Sequence, residues 1–203
     1  MISNGYRRSN AVLQPNVLIQ QFRANPPGKL FCLHGDKSVF RISLHAAAHA
    51  LLHGSTIALV DGTNRFDAYF IAEFARRVST KPEDLLKRIF IARSFTCYQM
   101  EATITDRLPE FLMKTNSKIA IIFGLLDSFY DEQAPMFEVK GSVQRVIAAL
   151  QKLKQSDISV LLASRDVKLE SRGRNGLMPQ LLASMDRVCH VVGDSGLMLK
   201  NPS

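Results

Sequence analysis

The sequence predicts an α/β domain in which a mostly parallel sheet is covered by helices on both faces. Three observations carry that expectation. Short, near-continuous apolar runs recur along the chain, the strongest from Lys118 to Leu126, and a strand buried on both faces needs that pattern rather than alternation. Amphipathic or Ala- and Leu-rich helical segments separate the runs, as βαβ units require. Most connecting loops keep to the usual length of about 2–6 residues. At 203 residues the chain suffices for one well-buried core and is short for two. No internal repeat or low-complexity segment interrupts it. The expected division is a basic N-terminal arm over residues 1–28 and one core domain over residues 29–203.

The elements follow in order. Residues 1–28 are rich in Asn, Gln and Arg and end in the breaker Pro26-Pro27-Gly28, so they read as an arm with a short helix around Val17 to Phe22. Leu30 to His34 is a buried strand stopped by Gly35-Asp36. Ser38 to His53 is a helix, with Gly54 just past its end, where a left-handed residue closes a last turn. Thr56 to Val60 is the second strand, Asp67 to Val78 an amphipathic helix, and Arg88 to Ala92 the third strand. Phe95 to Lys114 is a long helix, frayed or broken near Pro109. Lys118 to Leu126 is the fourth strand, followed by an acidic loop from Asp127 to Pro135. Val143 to Lys154 is a helix and Ile158 to Ala163 the fifth strand. The polar stretch Ser164 to Gly176 leads to a short helix, Met178 to Ser184. Arg187 to Val192 and Leu197 to Lys200 form an antiparallel C-terminal hairpin about the turn Gly193-Asp194-Ser195-Gly196.

Composition excludes some classes. No apolar run approaches the roughly 20 residues of a membrane-spanning helix, and Met1 to Arg8 is polar and basic, unlike a secretory signal. Cys32, Cys97 and Cys189 are odd in number, far apart and set in apolar sequence, which predicts buried thiols of a cytoplasmic protein rather than a disulfide frame or zinc site. A formal charge of +8 and a pI near 9.6 suit a polyanionic partner, because cations that neutralise phosphates release condensed counterions. Basic charge also serves solubility alone.

In sheets of this class, ligands bind beyond the carboxyl ends of the strands. The first strand runs through Cys32-Leu33-His34-Gly35-Asp36-Lys37-Ser38 straight into a helix, the position of a phosphate-binding loop. The motif for such a loop is G-x-x-x-x-G-K-[ST]. Here a single glycine stands before Asp36, and the carboxylate falls where a β-phosphate would lie. An ordinary strand-to-helix turn capped by Asp or Ser competes with a weak anion site using Lys37 and Arg41. The second strand ends in Val60-Asp61-Gly62-Thr63-Asn64-Arg65-Phe66-Asp67, and the third in Ile91-Ala92-Arg93-Ser94-Phe95-Thr96-Cys97-Tyr98-Gln99.

Taken in order, the degenerate loop, the "VDGTNRFD" segment and the "RIFIARSFTCYQ" segment resemble the ATPase core of RecA/RadA-type recombinases over about residues 29–200. The resemblance implies a RecA-like three-layer sandwich. It matches Asp61, Phe66, Arg93, Phe95 and Gln99, and it would make Gly35, Lys37, Ser38, Asp61, Gln99 and Asp127 a vestigial nucleotide site. Thr63 stands at the family's catalytic glutamate, and a hydroxyl is too weak a base to activate water. The phosphate-loop lysine and hydroxyl fall near Val39 and Phe40. The fourth strand ends in Phe123-Gly124, with the metal-associated aspartate displaced to Asp127. Phosphoryl transfer depends on charge neutralisation at the γ-phosphate, so no catalytic residue is assigned.

Three further patterns carry side chains with chemical potential. Asp127, Asp131 and Glu132, with Tyr130 among them, could hold Mg²⁺ or simply cap a solvated loop. His45, His49 and His53 lie one turn apart on one helix face. They have the spacing of zinc ligands but no carboxylate or cysteine beside them, so packed or surface histidines are expected and no metal is assigned. In Ser164 to Gly176, Arg165, Lys168, Arg172 and Arg174 are the candidate nucleic-acid contacts, at the point where the resemblance places a DNA-lining loop. The stretch lacks aromatics for base stacking, and a solvated loop is the competing reading. The arm's Arg7, Arg8, Arg23 and Lys29 would extend a phosphate-tracking surface or make self-assembly contacts. The expected function is a non-catalytic RecA/RadA-like accessory factor in DNA recombination or repair, binding DNA or a protein partner without ATP hydrolysis and without cofactor. Single-stranded DNA or another nucleic acid, a second copy of the chain and a recombinase-like protein are the candidate partners, with no membrane. The alternative is an ATP-binding switch or weak ATPase with a non-standard loop, in which Asp61 and Asp127 handle Mg²⁺. A plain interaction scaffold is the third reading.

Overall fold

The computed structural model describes residues 12–13, 28–131, 133–167, 172–192 and 196–200. Six parallel strands form the body of the sheet: β1 (Leu30–Gly35), β2 (Ile57–Asp61), β3 (Ile89–Arg93), β4 (Ile119–Phe123), β5 (Ser159–Arg165) and β6 (Arg187–Val192). They lie side by side in the order β6-β1-β5-β4-β2-β3. The helices are α1 (Ser38–Leu52), α2 (Ala68–Arg77), α3 (Pro82–Leu86), α4 (Cys97–Ala102), α5 (Leu108–Thr115), α6 (Met136–Gln155) and α7 (Leu177–Ala183). Beyond β6, the backbone of β7 (Gly196–Lys200) pairs antiparallel with it and with Val12–Leu13. Residues 193–195 of the expected turn, and the helix expected around Val17 to Phe22, lie outside the described residues.

The pleat divides each strand between two cores. Cys32, Val60, Ile122 and Leu162 join α4 to α7 on one face, whereas Leu33, Leu59, Phe123 and Leu161 join α1 to α3 on the other. A residue of this size contributes about 1.5–3 kcal/mol when fully buried, so both faces must stay covered and a three-layer arrangement follows. Ala46, Ala47, Ala48 and Ala50 of α1 are all buried, which lets that helix sit close to the sheet. No described helix is long and apolar enough to cross a membrane. Cys32, Cys97 and Cys189 are buried and unbridged, and burial pushes the Cys32 thiol up to about 12.

Several elements depart from the sequence expectation for local reasons. The long helix is not broken at Pro109. A π turn, Thr103–Arg107, joins α4 to α5, with Leu108 N donating to Thr103 O, and the wider turn accommodates the missing proline N–H within the first turn of α5. Helix α6 starts at Met136 rather than Val143. Its buried stripe already includes Val139, but Lys140 and Gly141 dilute the apolar signal. The short α3 was not expected, although Pro82 at its start followed by Glu83 and Asp84 is a helix-start signal. The fourth strand is shorter than its apolar run: Asp127–Tyr130 forms a 3₁₀ turn.

Candidate functional site

The carboxyl ends of β1, β2, β4 and β5 open on one rim of the sheet, and most of the candidate residues stand there. At the end of β1, Gly35 is needed for close packing. Its φ is +143°, and a Cβ would collide with the Val191 carbonyl of β6. The next residue fills the anion position itself. Asp36 Oδ1 accepts from the Ser38 N–H at 2.7 Å and from the Ser38 hydroxyl, so a carboxylate occupies the amino end of α1, where backbone N–H groups and the helix dipole would hold a phosphate. Lys37 is exposed, while Val39 and Phe40, where the recombinase resemblance puts a lysine and a hydroxyl, are core residues. Phe40 packs edge-on against Phe123 at 5.3 Å between ring centres.

At the end of β2, Asp61 is fully buried and organises a loop. Its Oδ1 accepts from Thr63 N and Arg65 N, both at 3.1 Å, and its Oδ2 accepts from Phe66 N at 2.9 Å. With three backbone donors on its carboxylate, Asp61 is committed to the turn, an Asx-type arrangement. Thr63 packs its methyl group over Gly124, where φ is +61° and no Cβ would fit. Gln99 turns back on its own segment, its Oε1 accepting from Phe95 N at 3.0 Å.

Between these loops lies a cavity of about 400 Å³, lined by Phe40, Thr63, Arg65, Asp127, Ser128 and Arg165 among others. Thr63 Oγ1, Asp127 Oδ1 and Ser128 Oγ are buried there with no hydrogen-bond partner within the protein. Burial raises the Asp127 carboxyl, and Arg165 and Arg65 oppose the rise. Tyr130 is pushed up to about 12 by burial and by the nearby Asp127 and Asp166 charges. A second cavity of about 460 Å³, also touching Phe40 and Arg65, holds Lys37, Ser38, Arg41, Tyr69 and Glu73. The rim therefore carries cations and carboxylates side by side rather than a field of one sign.

Of the four candidate nucleic-acid residues, the side chains of Arg165 and Arg174 are described, and they stand in different surroundings. Arg165 is exposed and shares the first cavity with Asp127 and Asp131. Lys168 lies outside the described residues, and of Arg172 only the backbone, in a 3₁₀ turn, is described. Arg174 is a correction: it is 4% exposed, and its guanidinium donates to Phe129 O and, at 2.6 Å, to Ala134 O. Buried carbonyls need partners, and this arginine supplies two, closing the acidic loop from beneath instead of meeting a phosphate. Glu132 lies outside the described residues.

Two histidines of the stripe pack against α2, and His53 is exposed just past the end of α1. His45 stands edge-on to Phe70 at 4.6 Å and His49 to Phe74 at 5.0 Å between ring centres. Sequence reasoning passed over a different group, His34, Asp166 and His190, which the sheet gathers at the ends of β1, β5 and β6. The signal was two histidines at strand ends, and their pairing becomes legible once β1 and β6 are known to be neighbours. The sequence matches no known family model and no curated protein.

Proposed function

We propose that the chain is a RecA-like core that has given up ATP hydrolysis and serves as an accessory factor, binding a protein partner or DNA in recombination or repair. The observation that carries this reading is the Asp36 carboxylate bonded to Ser38 at the amino end of α1. A phosphate entering there would meet a negative charge already holding the donors it needs. Val39 and Phe40 in the core and Thr63 packed on Gly124 point the same way, since each stands where the resemblance expects a residue that handles phosphate, metal or water. The antiparallel pairing of the last two strands belongs to the same RecA-like reading.

Partner binding draws its support from β3 and the segment after it. Among the described residues β3 is an edge strand, and Phe90, Ile91, Phe95 and Tyr98 are 43%, 42%, 65% and 53% exposed. An unpaired edge with apolar side chains is a template for another chain. The mixed charge of the rim offers less to DNA. The test is to give the purified chain Mg-ATP and single-stranded DNA at two salt concentrations. No turnover and no saturable nucleotide binding are expected. Salt-sensitive DNA binding, weakened by Lys168→Ala with Arg172→Ala, assigns the accessory role to DNA, and its absence assigns it to protein. Turnover abolished by Lys37→Ala or Asp127→Ala would overturn the reading.

One observation favours the second reading, an ATP-binding switch: the three unpaired polar atoms of Thr63, Asp127 and Ser128 face one cavity. Nucleotide binding lost in Asp127→Asn would select it.

A further inference from the structure

His34, Asp166 and His190 are far apart in sequence and come together through the order of the strands. β1 and β6 are parallel neighbours whose register places His34 opposite His190. β5 flanks β1 on its other side, with Ser164 opposite His34, so Asp166 emerges just past the same level. The backbone fixes this rim on both sides: Asp166 N donates to Gly35 O at 2.7 Å, and Asp36 N donates to Val191 O at 3.4 Å. His34 Nδ1 lies 2.9 Å from Asp166 Oδ1, and His190 Nε2 lies 3.1 Å from Asp166 Oδ2. The two imidazole centres are 4.8 Å apart.

We propose that these three side chains form a binding site for a divalent transition metal, of which zinc is the best fit. One donor atom from each lies within 4.8 Å of the other two. Ligands around a tetrahedral zinc, at about 2.0–2.1 Å from the ion, sit about 3.3–3.4 Å apart. The two histidine–aspartate distances, each to a different carboxylate oxygen, need to widen by only a few tenths of an ångström to reach that spacing. A donor pair at the 4.8 Å limit must close by about 1.4 Å, which asks the partly exposed His190 and Asp166 side chains to turn toward the ion. Two imidazoles and one carboxylate suit zinc, cobalt or nickel, whereas magnesium and calcium prefer oxygen alone. Placing the donors on or beside strand ends gives the rigidity a metal site requires. The burial is graded: the side chains of His34, His190 and Asp166 are 7%, 27% and 48% exposed. The metal would be held from beneath by His34 and keep a fourth position open toward solvent beside Asp166, for water or a donor from a partner. The site does not depend on whether nucleotide binds, and it shares no ligand with the cavity around Asp127.

The metal-stripped chain titrated with Co²⁺ and then Zn²⁺ near pH 7.5 tests the proposal. One equivalent of Co²⁺ is expected, with the intense visible absorption of a four- or five-coordinate centre, displaced by one equivalent of Zn²⁺. His190→Ala and Asp166→Asn, both at partly exposed positions, should each weaken binding at least about ten-fold and abolish the rise in melting temperature that Zn²⁺ gives the wild type. His45→Ala with His49→Ala should leave binding unchanged. The proposal fails if no stoichiometric binding occurs, if the cobalt spectrum stays that of the six-coordinate aqua ion, if both ligand variants bind like wild type, or if the His45/His49 variant loses the metal.

Discussion

Two charged side chains near the rim owe their roles to backbone groups rather than to a ligand. Asp61 accepts three N–H groups, and Arg174 serves two carbonyls from a buried position. Removing such a partner leaves buried polar groups unsatisfied, at about 1–3 kcal/mol each. Arg174→Ala is therefore expected to lower stability by about 3 kcal/mol in urea unfolding; a surface arginine awaiting nucleic acid would change it by no more than about 0.5 kcal/mol. Asp127 shows the opposite economy. Its carboxyl is raised by burial, so ionisation weakens the folded state. The sign follows from linkage: the protonated form's contribution is complete below the ordinary value of 3.8 and is lost as pH rises through the raised folded value. Asp127→Asn should accordingly melt higher than wild type at pH 7, with the difference shrinking toward pH 4. A constant difference across that range would refute the assignment.

At the scale of elements, the pattern of apolar residues located all six strands and most of the helices, while their ends depended on contacts; Arg187–Val192, expected as an antiparallel edge strand, instead runs parallel beside β1. Helix α2 begins where its sequence says it should. Asp67 Oδ1 accepts from Tyr69 N at 2.9 Å and from Phe70 N at 3.1 Å, and Asp67→Ala should cost about 1 kcal/mol, measurable as a shifted denaturation midpoint. The early start of α6 and the π turn before α5 were not legible. A glycine and a proline argue against helix locally, and only the sheet packing beneath Val139, Ile104 and Leu108 outweighs that preference. Edge strand β3 is the least buried of the parallel strands. Among the described residues it has a neighbouring strand on only one side, which its apolar sequence does not reveal.

For the molecule as a whole, the carboxyl rim is where strand order becomes chemistry. Gly35 is its tightest point, with β1 pressed against Val191 of β6 and tied to Asp166 through the Gly35 carbonyl. Gly35→Ala would force a Cβ into backbone at a φ that L residues rarely adopt. A loss of about 3 kcal/mol is expected, together with weaker metal binding, because His34 and His190 flank that contact. An alanine variant as stable as wild type would show that the two strands can separate freely there. By itself the sequence determined the α/β class and the burial of the cysteines, because these rest on local composition and on residues read one at a time. Tertiary structure alone decided that Arg174 turns inward and that His34 meets an aspartate 132 positions away. Such meetings depend on which strands become neighbours, and that choice is made by the packing of the whole sheet between its two helical layers.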